Sequence, residues 1–239
     1  MTFIFNFCSL AASIFCLSAG FRFNHSYSER KMEILKAYAK GFFSVSLAYF
    51  FLALPEFLLF NPILIQIAFI LSDLSFLIAI LFSGPAIFSI PEKLRRFKKH
   101  VFLFLLSYIF IFIILSIIFF SPALPLKENN AIYFWFSGTP LIQSMARGLS
   151  ILAALLMGLF FFNFAKESQE KIVSYRSFFI GLGTLIITIA GFILWFFPFF
   201  YFSPNLLIFS GLFGLAGFMI GVVNTTVLKL PEEISGPSV

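Results

Sequence analysis

Runs of about twenty consecutive apolar residues recur along this chain, and they constrain its fold most, because a bilayer core of about 30 Å needs roughly that many helical residues. Seven such runs lie near residues 2–21, 41–60, 62–84, 101–121, 140–164, 177–201 and 205–228. A soluble surface carries roughly 25% charged residues. Here 61% of residues are hydrophobic and 11% charged. The expected fold is therefore all-α: one integral membrane domain of seven helices over residues 1–239, with the lipid bilayer as its main partner. The forty phenylalanines are read as lipid-tolerant apolar residues rather than as an aromatic ligand box.

Charge distribution sets the expected orientation, since cytoplasmic loops of membrane proteins are enriched in Lys and Arg. With the N-terminus outside, the inner segments hold Arg22, Arg30, Lys31, Lys36 and Lys40, then Lys93, Arg95, Arg96, Lys98 and Lys99, then Lys166, Lys171 and Arg176, and finally Lys229. Only Lys127 and Arg147 fall outside or in the outer leaflet. The expectation is N-outside and C-inside in a plasma (inner) membrane. The net charge of +6 is then topological, and no nucleic-acid partner is expected. The basic stretch "PEKLRRFKKH" is read the same way rather than as a lipid-binding site. Trp135 and Trp195 fall at the outer surface, where an interfacial aromatic belt would sit. The first segment lacks a basic start, and its removal would leave the following basic stretch outside, so it is expected to stay as a helix rather than act as a cleaved signal.

The first three and the last three helices run in the same direction, which permits a duplication. "FRFN" at 21–24 is echoed by "FFFN" at 160–163, Tyr38 by Tyr175, and Phe42 and Phe43 by Phe178 and Phe179. "NP" at 61–62 is echoed by "SPN" at 203–205, and "IPEK" at 90–93 by "LPEE" at 230–233. A parallel 3+1+3 plan follows, with a first triplet over 1–90, an inverting helix at 101–121 and a second triplet over 140–230. In helix count, orientation and repeat plan the chain resembles the seven-helix membrane sensor modules of some bacterial histidine kinases, and the small SWEET and PQ-loop transporters. It has no Pro-Gln dipeptide. A rhodopsin is excluded, because the last helix, residues 205–228, has no lysine for a retinal Schiff base.

Asp73 is the only aspartate, and it sits eleven residues into the third run, about 16 Å from its outer end at 1.5 Å per residue. An unpaired carboxylate at that depth costs on the order of 3 kcal/mol, so it must be protonated, paired or wet. Arg147 is the intramembrane cation away from the helix ends; Asp73 is its first expected partner and Glu56 its second. Gln66 shares a helix face with Asp73, and Gln143 and Ser150 share one with Arg147. Asn6, Ser9 and Ser13 form a further polar stripe, as do Ser46, Tyr49 and Glu56. These groups lie in the outer half of the bilayer and suggest a cavity opening outward among helices one, two, three and five. The alternative is a structural ion pair, with Ser and Thr merely bonding backbone. Gly211, Gly214, Gly217 and Gly221 on the last helix form a close-packing seam or, as a second option, a homodimer face.

Enzymatic chemistry is not expected. His25 and His100 both fall in cytoplasmic segments, leaving no intramembrane imidazole for haem, zinc or general-base work. No cofactor or metal is implied. Cys8 and Cys16 are eight residues apart, about 12 Å along a helix, too far to pair within it. Two functions remain: a small-molecule sensing or receptor-like module, read by a separate cytoplasmic partner since no kinase domain follows Val239, or a small-solute transporter with Asp73 as its coupling carboxylate.

Overall fold

The computed structural model describes residues 2–31, 33–56, 61–87, 96–128, 131–168, 171–200 and 204–220. They form seven α-helices and one β-hairpin: α1 (Thr2–Arg30), α2 (Glu33–Ala53), α3 (Pro62–Ile87), α4 (Lys98–Ile118), β1 (Leu124–Glu128), β2 (Ala131–Phe136), α5 (Pro140–Glu167), α6 (Lys171–Phe200) and α7 (Pro204–Phe218). Among the described residues, four segments are long and apolar enough to cross a membrane: Asn6–Glu29, Pro62–Pro85, Lys98–Ile118 and Pro140–Glu167. Ser177–Ile193 is a shorter apolar stretch. The outward faces of these helices stay apolar, as with Phe104, Phe110, Ile117 and Leu156, a surface suited to lipid rather than water.

Helix boundaries follow local chemistry. Residues 21–40 contain neither Gly nor Pro. The basic stretch expected as a loop accordingly stays helical to Arg30, turns at Lys31 in the left-handed region (φ 55°) and re-enters a helix at Glu33. Stacking of Phe23 on Phe42, with ring centroids 5.3 Å apart, ties the two arms. At the other end of α2, Pro55 cannot donate to an α-helical ladder, and the chain passes into a 3-10 turn at Leu54–Glu56 instead of continuing to residue 60. Residues 57–60 lie outside the described residues. Asn61 opens α3: its Oδ1 accepts from the backbone N–H groups of Ile63 and Leu64 at 3.0 and 3.2 Å, and Pro62 fills the first helical position.

Packing closes six helices into a ring. In order around it, α1 packs on α2, α2 on α3, α3 on α5, α5 on α6, α6 on α7, and α7 back on α1. Small residues permit the close approaches. A Cβ on Gly158 of α5 would lie 3.0 Å from Leu185 of α6, and one on Gly217 of α7 would lie 2.8 Å from the Gly183 carbonyl of α6. On the α1 side, Ala12 and Cys16 are buried against Phe42, Val45, Tyr49, Ile187 and Leu215. Helix α4 stands outside the ring and packs mainly on α3.

The fold is all-helical as expected, with one short β-hairpin between α4 and α5. Strands β1 and β2 pair antiparallel, with an irregularity between Leu126 and Lys127. Helix α4 stops short of the start of α3, and the hairpin takes its place beside α3: Ala123 N–H donates to the Pro62 carbonyl at 3.0 Å, and Trp135 packs with Ile65, Phe69, Ala123 and Leu52. Trp135 is thus a packed residue, 7% exposed. The Trp195 side chain lies outside the described residues.

Candidate functional site

The polar residues expected to line one cavity separate into three places. Ser13 and Ser46 belong to the α1–α2 seam, where each hydroxyl donates to the other residue's carbonyl, at 2.8 and 2.9 Å. Asn6 and Ser9 are buried on the same stripe of α1. Serines that bond neighbouring backbone hold helices together.

Gln66 forms the second place. Its Nε2 donates to Ser137 Oγ (3.2 Å) and Thr139 Oγ1 (3.0 Å), and its Oε1 accepts from the Gly138 backbone N–H (2.9 Å). Both amide donors and one carbonyl lone pair are therefore used. The side chain clasps the turn between β2 and α5 to α3. That turn needs glycine, since a side chain at Gly138 would collide with the carbonyls of Ser121 and Pro122. Gln66 is a structural clasp by geometry, and it ties the hairpin down over the N-terminal end of α3.

The third place holds the charges. Arg147 Nε donates to Asp73 Oδ1 at 3.2 Å, and Arg147 Nη2 donates to Gln143 Oε1 at 2.8 Å. Parallel packing of α3 and α5 brings this about: Gln66 pairs with the Thr139 level and Asp73 with the Arg147 level, so the offset is nearly constant along both helices. The Asp73 side chain is 2% exposed and that of Arg147 26%, so the carboxylate lies behind a guanidinium that reaches the surface. Glu56, the other partner weighed for Arg147, sits in the 3-10 turn, and its side chain lies outside the described residues.

Helix α4 completes this junction. A Cβ on Gly84 would lie 3.5 Å from Leu105. Counting eleven residues back along α3 reaches Asp73, and eleven forward along antiparallel α4 reaches Ser116. Leu105, Ile109, Phe112 and Ser116 form the buried stripe of α4, with Ile109 and Phe112 against Leu77, Ile142 and Ala146. Ser116 therefore stands at the depth of Asp73 on the face that α4 turns to α3. It was missed in the sequence, because one serine in an apolar helix gives no signal until the register of α4 on α3 is known.

Among the described residues, four buried side-chain polar atoms lack a hydrogen-bond partner: Ser72 Oγ, Asp73 Oδ2, Ser116 Oγ and Gln143 Nε2. All four lie within about one helical turn of the Asp73–Arg147 level on α3, α4 and α5. Ser75, Ser83, Ser144 and Ser150 each donate to the carbonyl four residues back, the usual exit for a helical hydroxyl, and Ser72 and Ser116 do not. Buried polar atoms normally find partners, and here an acceptor and a donor are left over on either side of one arginine. The cavity expected among helices one, two, three and five is not where these groups meet; α4 stands beside them instead.

Other expected residues fall elsewhere. Gly214 and Gly217 face α6 within the same chain, Gly211 is half-buried, and Gly221 lies outside the described residues. His25 is exposed on α1 with Nδ1 3.5 Å from Glu29. Among the described residues no three His, Cys, Asp or Glu side chains come together as a metal site. No protein-family model, no curated protein and no solved structure matches the chain.

Proposed function

We propose that the chain is a multi-pass membrane protein of seven spans, N-outside and C-inside, whose α3–α5 junction binds a small polar molecule as a sensing or receptor-like module. One observation carries this: Asp73 Oδ2 and Gln143 Nε2 are buried and unpartnered on either side of Arg147. A purely structural ion pair gains nothing from leaving them so, since each unmade hydrogen bond costs about 1–3 kcal/mol. Ligand binding would shift α3 against α5, and a separate cytoplasmic partner would read the shift. The test is thermal stabilisation of the detergent-purified protein by a panel of small polar molecules, compared with Gln143→Ala. Stabilisation that the variant loses supports the site; stabilisation of neither, or of both equally, refutes it.

A second reading, a small-solute transporter with Asp73 as coupling carboxylate, is favoured by the packing. Exchanging α1, α2 and α3 for α5, α6 and α7 maps the contacts of the ring onto themselves, including α3–α5 onto α7–α1. Residues that answer each other in the sequence also make matching contacts: Phe23 meets Phe42 and Phe162 meets Phe178, both with ring centroids 5.3 Å apart. That supports the parallel 3+1+3 duplication, a plan used by transporters. Uptake into proteoliposomes decides between the two.

A further inference from the structure

We propose that the α3–α5 site takes a small monocarboxylate anion together with one proton, the anion on Arg147 and the proton on Asp73. This rests on the reading of the junction as a ligand site and names what it holds. Arg147 spends Nε on Asp73 and one N–H of Nη2 on Gln143. That leaves its end-on edge, Nη1 with the second N–H of Nη2, on the surface-reaching side of the residue. Two parallel N–H groups in one plane match the two oxygens of a carboxylate. Gln143 Nε2, buried beside them, supplies a further donor.

The proton follows from charge. With Asp73 ionised the pair is neutral, and an added anion would leave a net negative charge in a low-dielectric site. Taking up a proton keeps the site neutral: a new O–H bond forms on Asp73 Oδ2, the proton comes from water, and the Arg147 charge passes from Asp73 to the incoming carboxylate. A carboxylate offers about four acceptor sites. Among the described residues this one has a single donor, Arg147 Nε, and its Oδ2 is buried without a partner. A proton on Oδ2 therefore displaces no existing hydrogen bond. The ionisable side chains that the neighbouring helices bring to this part of α3 are Arg147 from α5, Tyr108 from α4 beside Leu77, and Tyr49 from α2 on Phe76; among the described residues only Arg147 bonds Asp73.

The experiment uses the full chain in detergent or nanodiscs with acetate as probe. Binding is measured by calorimetry in buffers of different ionisation enthalpy between about pH 6 and pH 8, where acetate stays charged. One proton taken up per acetate is expected, with affinity falling up to about tenfold per pH unit as pH rises. Asp73→Asn should bind acetate with no proton uptake and no pH slope. Arg147→Lys keeps the charge but not the fork, and should weaken binding at every pH. Acetate binding by the parent without proton uptake, or a pH slope that survives Asp73→Asn, overturns the coupling while leaving the ligand site standing. No binding of acetate overturns the anion assignment, and the broader panel described above then reports separately on whether the site binds anything.

Discussion

Replacing Arg147 by Met should damage the fold far more than replacing Asp73 by Asn, although both changes break the same ion pair. The two partners differ in exposure: 2% for the Asp73 side chain against 26% for Arg147. Met keeps the length and the apolar stem but removes every donor, leaving Asp73 with no bond to either oxygen among the described residues. Measured at alkaline pH, where Asp73 stays ionised, stranding this buried charge costs about 3–5 kcal/mol, or two to three and a half orders of magnitude in the folded-to-unfolded ratio. Asn in place of Asp73 keeps an oxygen for Arg147 Nε, and Arg147 keeps Gln143 and its surface edge. That variant loses about 1 kcal/mol, the difference between a charged and a neutral hydrogen bond. The double variant has no stranded charge and should recover part of the Arg147→Met loss. Equilibrium unfolding in mixed detergent, with the denaturing detergent titrated, measures all four proteins. Equal losses in the two single variants, or a double variant as unstable as their sum, would refute the assignment of Asp73 as the buried, dependent member of the pair.

Three further outcomes are expected. Gln66→Leu keeps the side-chain volume but strips the Gly138 N–H of its acceptor, so stability should fall by about 1–3 kcal/mol and amide exchange over residues 124–139 should speed up while α6 stays protected. Gly217→Ala places a Cβ 2.8 Å from the Gly183 carbonyl and 2.9 Å from Ile187; because backbone cannot move aside, α6 and α7 must separate, at a cost of about 1–3 kcal/mol in the same unfolding assay. For orientation, cysteines introduced at Leu124 and Glu167 should react with an impermeant maleimide from opposite sides, Leu124 in intact cells and Glu167 only after permeabilisation. The native Cys8 and Cys16 are buried and should give little background.

Depth along a helix is legible in a sequence, because each residue advances it by 1.5 Å whatever its neighbours. That arithmetic brings Asp73 and Arg147 within reach of each other, and the two bond in the structure. Orientation around the helix is legible for the same reason, and Gln66 and Gln143 share their helices' inward faces with the charges, both nearly fully buried. What each amide does there was not legible. Gln66 is consumed by Ser137, Gly138 and Thr139, residues on a turn whose return to α3 depends on a hairpin hidden in the sequence. The strand "AIYFWF" is apolar throughout and lacks the alternation that marks a half-buried strand, so in a chain this rich in Phe it reads as interfacial loop. Charge also misled at the other end: Arg22 and Arg30 looked like a loop, but charged residues end a membrane span without ending a helix. The missing Gly and Pro between residues 21 and 40 were the better guide.

The ring has two junctions where parallel helices meet, α3–α5 and α7–α1, and on the proposed duplication they are equivalents. Aligning Pro62 with Pro204, and "FRFN" with "FFFN", puts Leu215 where Asp73 stands and Cys8 where Arg147 stands. Leu215 packs on Ala12 and Cys16, in a junction filled by apolar and small residues. Apolar and small residues thus meet where Leu215 stands, and charges meet where Asp73 stands, although the helices around them are arranged alike. The charged junction is also where the symmetry of the chain breaks, because among the described residues α4 packs on α3, and Trp135 of the hairpin packs on Ile65 and Phe69 of the same helix. A buried ion pair adds little stability over a well-packed apolar contact, and the α7–α1 junction is an apolar solution at the same place in the fold. On the reading proposed above, charge at α3–α5, with an extra helix and a clasped hairpin beside it, serves a role beyond holding two helices together.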